Sequence, residues 1–222
     1  MTATPDTVRQ ALASNDLGDR LRAVNDIRTL PAAEGLPLIQ QAIGDANPRV
    51  RYAAVSQLDG LGSQNRAVVV DVLRDRLLND PEVDVQAAAA DCLGALQAVE
   101  TFDDLSRIYQ QTEEWLLRFS ILAALGELGD SRCFDLLAPA IASDNELERI
   151  AAIGALGELG DDRAVALLLP LIGEDDWQVR SRVAQALGHF ATHPDVATAL
   201  ETLAQDPVES VANAARDRPT SA

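Results

Sequence analysis

The sequence predicts an all-α solenoid of about seven stacked helix pairs forming one domain over residues 1–222. Three observations predict it. Hydrophobic residues make up 47% of the chain but aromatics only 4%, so the core is built of Ala, Leu, Val and Ile; Ala and Leu lead the helix-propensity scale. One block recurs at a near-fixed period. Within each block the apolar residues carry the spacing of a buried helix face.

The block reads NPRVRYAAVSQLDGLG, then PEVDVQAAAADCLGALQ, EEWLLRFSILAALGELGD, NELERIAAIGALGELGD and DDWQVRSRVAQALGHFA, with a degenerate first copy GDRLRAVNDIRTL and a truncated last copy PVESVANAARDRP. Anchored on Arg20, Arg51, Gln86, Arg118, Arg149, Arg180 and Ala212, the spacings are 31, 35, 32, 31, 31 and 32 residues. That period lies in the range of helix-pair repeats. Apolar residues fall at −1, +3, +4, +7 and +10 from the anchor, as in Leu117, Ile121, Leu122, Leu125 and Leu128.

These blocks predict the second (B) helix of each pair, near residues 16–30, 48–61, 82–97, 114–128, 145–159, 176–191 and 208–217. Gly at +8 (Gly94, Gly126, Gly157, Gly188) costs helix stability, which predicts close approach of a neighbouring helix. The GELGD tail places a glycine where a left-handed residue ends a helix. Between the blocks lie the first (A) helices, among them GLPLIQQAIGD, NRAVVVDVLRDRLLND, FDDLSRIYQQ, CFDLLAPAIASD and AVALLLPLIGED. Pro139 and Pro170 are expected to bend or break two of them. The longer interval before Gln86 predicts a lengthened helix around Val68 to Leu78. Neighbouring pairs bury faces that no pair buries alone, so they are expected to stack into a right-handed superhelix with atypical terminal copies.

The anchor arginines Arg51, Arg118, Arg149 and Arg180 read as structural. An acid stands six residues earlier in several copies (Asp45, Asp80, Glu174, Asp206). At the turn between helices it is placed to cap the next helix and pair with the arginine one turn inside it. Gln86 interrupts this ladder.

The formal charge is −17, from 35 acidic and 18 basic residues. Such a surface repels nucleic acid and anionic membranes, so neither is expected as a partner. No stretch of eighteen apolar residues exists, and the first residues lack a basic and an apolar leader region. With two cysteines only, Cys92 and Cys133, the expectation is a reducing cytoplasm rather than a disulfide framework.

The B-helix positions that the core leaves free are +1, +2, +5 and +9, and these are expected to face a binding groove. The candidate set is Arg22, Tyr52, Ser56, Asp91, Phe119, Glu127, Glu158, Arg182, Gln185 and His189, with Leu21 and Ile150 as further +1 residues. Position +1 is apolar or aromatic in four copies. Position +5 is small at Ser56, Ala123 and Gly154, and small residues beside aromatic ones make room for a ligand. The alternative is that +1 is half-buried against the adjacent repeat. Trp115 and Trp177 share position −3, either as packing wedges or as exposed anchors for a partner.

Recognisable catalytic chemistry is absent. His189 and His193 lack the acids or cysteines of a metal site, no metal is expected, and the chain lacks the several His-Glu pairs of HEAT-repeat iron hydroxylases. No GxxxxGK[ST], GxGxxG or GxSxG sequence occurs. Cys92 takes the place of a core Ala; Cys133 begins an A helix, where the dipole is expected to lower a thiol pKa, with nothing nearby to make it a nucleophile.

The period with V-R-x-x-A-A-x-A-L-G-x-L resembles the HEAT-like repeat of phycobilin lyases. The phrases around Tyr52, Asp91 and Trp115 resemble the phycobilisome degradation branch of that family in cyanobacteria, and the resemblance covers essentially the whole chain. It implies a phycobilin lyase-like protein that binds phycobiliproteins (phycocyanin and allophycocyanin subunits) or their bilins, with phycocyanobilin as ligand or substrate and no tightly held cofactor, and a protease adaptor as a further partner. Relatives attach or isomerise bilins at antenna cysteines; this branch is associated with detaching them. No catalytic residue is carried over. Position and chemistry suggest that Tyr52 and Phe119 flank a tetrapyrrole, Arg22 or Arg182 meets its propionates and Asp91 its pyrrole nitrogens. The competing reading is a scaffold or assembly factor with no ligand chemistry.

Overall fold

A computed structural model describes residues 3–61 and 65–217 of the chain. Among the described residues all regular structure is helical. The chain forms fourteen α-helices in seven consecutive pairs: α1 (Pro5–Leu12) and α2 (Leu17–Ile27), α3 (Ala32–Ile43) and α4 (Pro48–Val55), α5 (Arg66–Asn79) and α6 (Val83–Ala95), α7 (Phe102–Gln111) and α8 (Trp115–Glu127), α9 (Phe134–Ala140) and α10 (Glu146–Leu159), α11 (Arg163–Leu168) and α12 (Trp177–Gly188), α13 (Pro194–Leu203) and α14 (Glu209–Arg216). The even-numbered helices are the recurring blocks. The polar tail from residue 218 lies outside the described residues.

Helix starts are set by side chains that accept the orphan amides of the first turn. Asp16 accepts from Asp19 N–H at 2.9 Å and Asp176 from Gln178 N–H at 2.8 Å. Asn145 accepts from the Leu147 and Glu148 amides. Gly129 and Gly160, with φ of 72° and 67°, supply the left-handed residue at the GELGD tails. Pro170 ends α11 at Leu168, and the chain continues as a 3-10 turn over Leu169–Gly173; Pro139 lies one residue from the end of α9. α5 is lengthened to 14 residues.

The helices group into two compact units, Met1–Asp104 and Leu105–Ala222, the boundary falling within α7. In the first, the B helices α2, α4 and α6 pack side by side in order; in the second, α8, α10, α12 and α14 do the same. The core of the first unit includes the fully buried Ile27, Leu38, Ile39, Leu58, Leu73, Leu77 and Leu93; that of the second includes Leu105, Ile121, Leu122, Leu125 and Leu128. All five stripe residues of α8 are at most 2% exposed.

The +8 glycines set the spacing between B helices. A Cβ on Gly126 would stand 2.6 Å from Ala155 Cα, and one on Gly157 would stand 2.6 Å from Ala186 Cα. Two backbones therefore meet at the same register across both interfaces, +8 against +6, with no side chain between them.

Candidate functional site

The anchor arginines form rungs between turns. Each pairs with an acid of the following repeat, and Arg20, Arg51, Arg118 and Arg180 also donate to a carbonyl of their own turn. Arg51 Nη1 donates to Asp45 O at 3.1 Å, while Nε and Nη2 grip Asp80 at 2.8 Å each. Arg180 Nη1 donates to Glu174 O at 2.7 Å and its Nε to Asp206 at 2.7 Å. Arg20 pairs with Asp45 at 2.8 Å, Arg149 with Glu174 at 2.6 Å, and Arg118 with Glu148.

This corrects the expected pairing: the acid six residues before an anchor position (Asp45, Asp80, Glu174, Asp206) receives the previous repeat's arginine. The arginine's own turn offers its carbonyls instead, which orphaned helix ends leave free. Gln86 keeps the own-turn contact, donating to Asp80 O at 3.0 Å, but its amide has no fork for a second acid. Burial works to raise the Asp80 carboxyl, but the bonds from Arg51 and from Glu82 N–H, with the charges of Arg51 and Arg76, outweigh it and hold the group below the usual carboxylate range. The Arg118 hydrogen bond does the same for Glu148, against burial and with help from Ser143.

In the first unit the candidate face is carried by α2, α4 and α6. Tyr52 leaves about half its surface exposed, and Arg22 and Asp91 are exposed. Arg22 Nη1 lies 3.0 Å from Asp19 Oδ1 on its own helix. Ser56 closes α4 and lines a pocket of about 390 Å³ with Ile27, Arg28, Gln57, Asp59 and Leu61. A second pocket of about 390 Å³ lies between α3 and α5, beside Ile43, Asp71 and Arg76.

In the second unit α8 carries Phe119, half-buried, and the exposed Glu127. α10 and α12 bring the remaining candidates together in pairs. Arg182 Nη1 donates to Gln185 Oε1 at 3.1 Å, and His189 Nε2 lies 3.6 Å from Glu158 Oε1.

At Gly154 the room expected at position +5 is taken. A Cβ on Gly154 would come within 2.2 Å of the Arg182 guanidinium, which lies directly over the glycine. The absence of a side chain there seats an arginine rather than a ligand. Arg182 has no carboxylate partner among the described residues, and its Nε is buried without a hydrogen bond. No sequence rule flagged this pairing, because it joins +5 of one repeat to +2 of the next.

Both cysteines are buried. Burial pushes the Cys133 thiol up to about 11, overturning the expected lowering at a helix start. The Cys92 thiol is pushed to about 12, chiefly by burial, and it donates to Val55 O at 3.3 Å. Neither has the thiolate character of a nucleophile. The tryptophans are not enclosed wedges: Trp115 is 51% and Trp177 46% exposed. No helix among the described residues is long and apolar enough to cross a membrane.

A family model described as HEAT repeats matches residues 5–82, 70–153 and 134–217. No curated protein matches the chain in sequence. Among solved structures, the chain is similar to the complex of CpcE and CpcF of phycocyanin lyase from Nostoc sp. PCC7120, with a TM-score of 0.64 and 21% identity, covering 97% of this chain and 94% of that one. It is also similar to the YibA protein of Escherichia coli, with a TM-score of 0.61 and 15% identity over 96% of this chain and 80% of that one. An engineered protein matches with a TM-score of 0.58 and 18% identity over 95% and 66% of the two chains.

Proposed function

The chain belongs to the HEAT-repeat family, and on that premise we propose that it interacts with phycobiliproteins or their bilins. In this reading it is a phycobilisome degradation protein of the NblB kind, working in the cytoplasm and assisting antenna breakdown by detaching bilin chromophores. The observation that carries the reading is the likeness in fold to a phycocyanin lyase complex over nearly the full length of both chains, joined to the lyase-like phrases around Tyr52, Asp91 and Trp115.

Each unit contributes its own surface. In the second, Arg182 is the anion contact for a bilin propionate. It has no carboxylate partner, whereas Arg22 is held by Asp19. An arginine presents a planar fork to a carboxylate, and Phe119 adds an aromatic face on α8. In the first unit Tyr52 offers an exposed ring and Asp91 an acceptor for pyrrole N–H groups. Phycocyanobilin is the ligand or substrate, and phycocyanin or allophycocyanin subunits are the partners, with a protease adaptor beyond them.

The test is to mix the protein with holo-phycocyanin, and separately with free phycocyanobilin, and follow visible absorbance. A falling phycocyanin spectrum or a structured bilin spectrum supports the reading, and Arg182→Ala weakens it. An unchanged spectrum at stoichiometric protein counts against it. A second reading, a binding scaffold without chemistry, is favoured by the burial of both thiols; it expects co-purification with a phycobiliprotein and no pigment effect. Chromophore attachment, the third reading, would appear as a rising spectrum with apo-phycocyanin.

A further inference from the structure

The second unit carries an exposed feature that bilin contact does not use. Trp115 is the first residue of α8, Leu147 the second of α10 and Trp177 the first of α12. They are 51%, 46% and 46% exposed, and they are three of the five large apolar side chains with such exposure among the described residues. The three helices pack side by side, α8 on α10 and α10 on α12. The +8 to +6 register at Gly126–Ala155 and Gly157–Ala186 is the same at both interfaces, so the three N-terminal ends lie along one edge, each stepped by two residues, about 3 Å, from the last. Trp115 and Trp177 are thus two helix spacings apart, roughly 16–20 Å. In the first unit the residues matching the tryptophans are Leu17, Pro48 and Val83, each partly buried.

Charge defines what covers this edge. Glu113, Glu114, Asp144, Glu146, Asp175 and Asp176 flank the three apolar side chains, and among the described residues none of their side chains forms an ion pair. The arginines of these first turns are already engaged: Arg118 with Glu148, Arg149 with Glu174, Arg180 with Asp206. Each helix N-terminus adds about +0.5 of a charge, so three do not offset six carboxylates. The chain as a whole has 35 acidic and 18 basic residues, which makes a second copy a poor occupant.

We propose that this edge docks a partner protein through a cationic amphipathic segment. Its aliphatic or aromatic side chains would cover Trp115, Leu147 and Trp177, and its Lys or Arg side chains would meet the carboxylates and the indole faces. A helix of three to four turns spans the edge, at about 5.4 Å per turn.

Trp115 and Trp177 are the chain's only tryptophans, so intrinsic fluorescence reads this edge alone. The probe is an 18-residue helical peptide of Lys and Leu with one amphipathic face, titrated into the full chain. The expected result is a blue-shifted emission. By anisotropy of labelled peptide, Trp115→Ser/Trp177→Ser weakens binding by about tenfold or more, at unchanged helical circular dichroism. Glu113→Gln/Glu114→Gln weakens it severalfold and provides a second variant should the tryptophan pair unfold. The proposal is overturned if emission stays fixed while the peptide binds, if either variant binds as tightly as the native chain, if polylysine or a Glu/Leu peptide binds equally well, or if the chain alone forms a dimer that the tryptophan substitutions dissolve.

Discussion

Asp80→Ala is expected to destabilise the first unit by about 3–5 kcal/mol, the cost of leaving one partner of a buried ion pair alone. The Asp80 side chain is 0% exposed and that of Arg51 9%. Arg51 holds both carboxylate oxygens at 2.8 Å, and Asp80 also accepts from Glu82 N–H at 3.1 Å and Arg76 at 3.4 Å. At an effective dielectric near 20, two charges about 4 Å apart attract by about 4 kcal/mol. Desolvation of both groups offsets much of that, so the pair as a whole adds little net stability. The double change Arg51→Met/Asp80→Leu, which removes both charges, should therefore lie within about 1–2 kcal/mol of the native chain, the remainder being the lost bonds of Asp80 to Glu82 N–H and Arg76 and of Arg51 to its own turn's carbonyls. Arg66–Glu100, with both side chains 47% exposed, is the contrast: Glu100→Ala should cost about 0–1 kcal/mol. The assay is urea unfolding followed by far-ultraviolet circular dichroism, which reads both units, with fluorescence reading the second alone. The reasoning fails if Asp80→Ala costs less than 1 kcal/mol or if the double variant is no more stable than the single one. The pH dependence has a fixed sign. A carboxyl held low in the folded chain contributes fully above its unfolded pKa of about 4 and loses that contribution as pH falls through the lower folded value. Asp80→Asn should flatten that acid limb.

Gly126→Ala should destabilise the second unit by about 1–3 kcal/mol, although alanine is the better helix former by about 1 kcal/mol, because the added methyl meets Ala155 backbone at 2.6 Å; a thermal midpoint equal to or above the native one would refute this. The three atoms nearest a methyl added by Gly154→Ala all belong to the movable end of Arg182, so the change should leave the urea midpoint nearly unchanged while altering bilin affinity in a spectral titration. Cys92 and Cys133, buried and raised to about 12 and about 11, should stay unmodified by a chromogenic disulfide reagent at pH 8 in the native chain and react together once it is unfolded. Rapid labelling of either native thiol would contradict their placement.

The repeat was legible because helix burial is periodic. The stripe of Leu117, Ile121, Leu122, Leu125 and Leu128 marks a buried face wherever a helix packs, and the recurrence of that stripe with its closing glycine gives the pairs and the close approach at Gly126 and Gly157, though not every helix end: α4 stops at Val55, short of the expected 61. These are local properties, and local properties repeat with the sequence. The partners of polar side chains were not legible in the same way. Arg51 reaches the next turn's Asp80 rather than its own Asp45, and Arg182 fills the space over Gly154, because lateral stacking brings residues about thirty positions apart closer than a helical turn does. Exposure was equally hidden: Trp115 and Trp177 read as wedges or anchors until the stacked helices left them facing solvent. The sequence by itself determined which faces must be buried and how often; only the stacking of one pair on the next decided which charges meet, which glycines are filled and which aromatic rings remain uncovered.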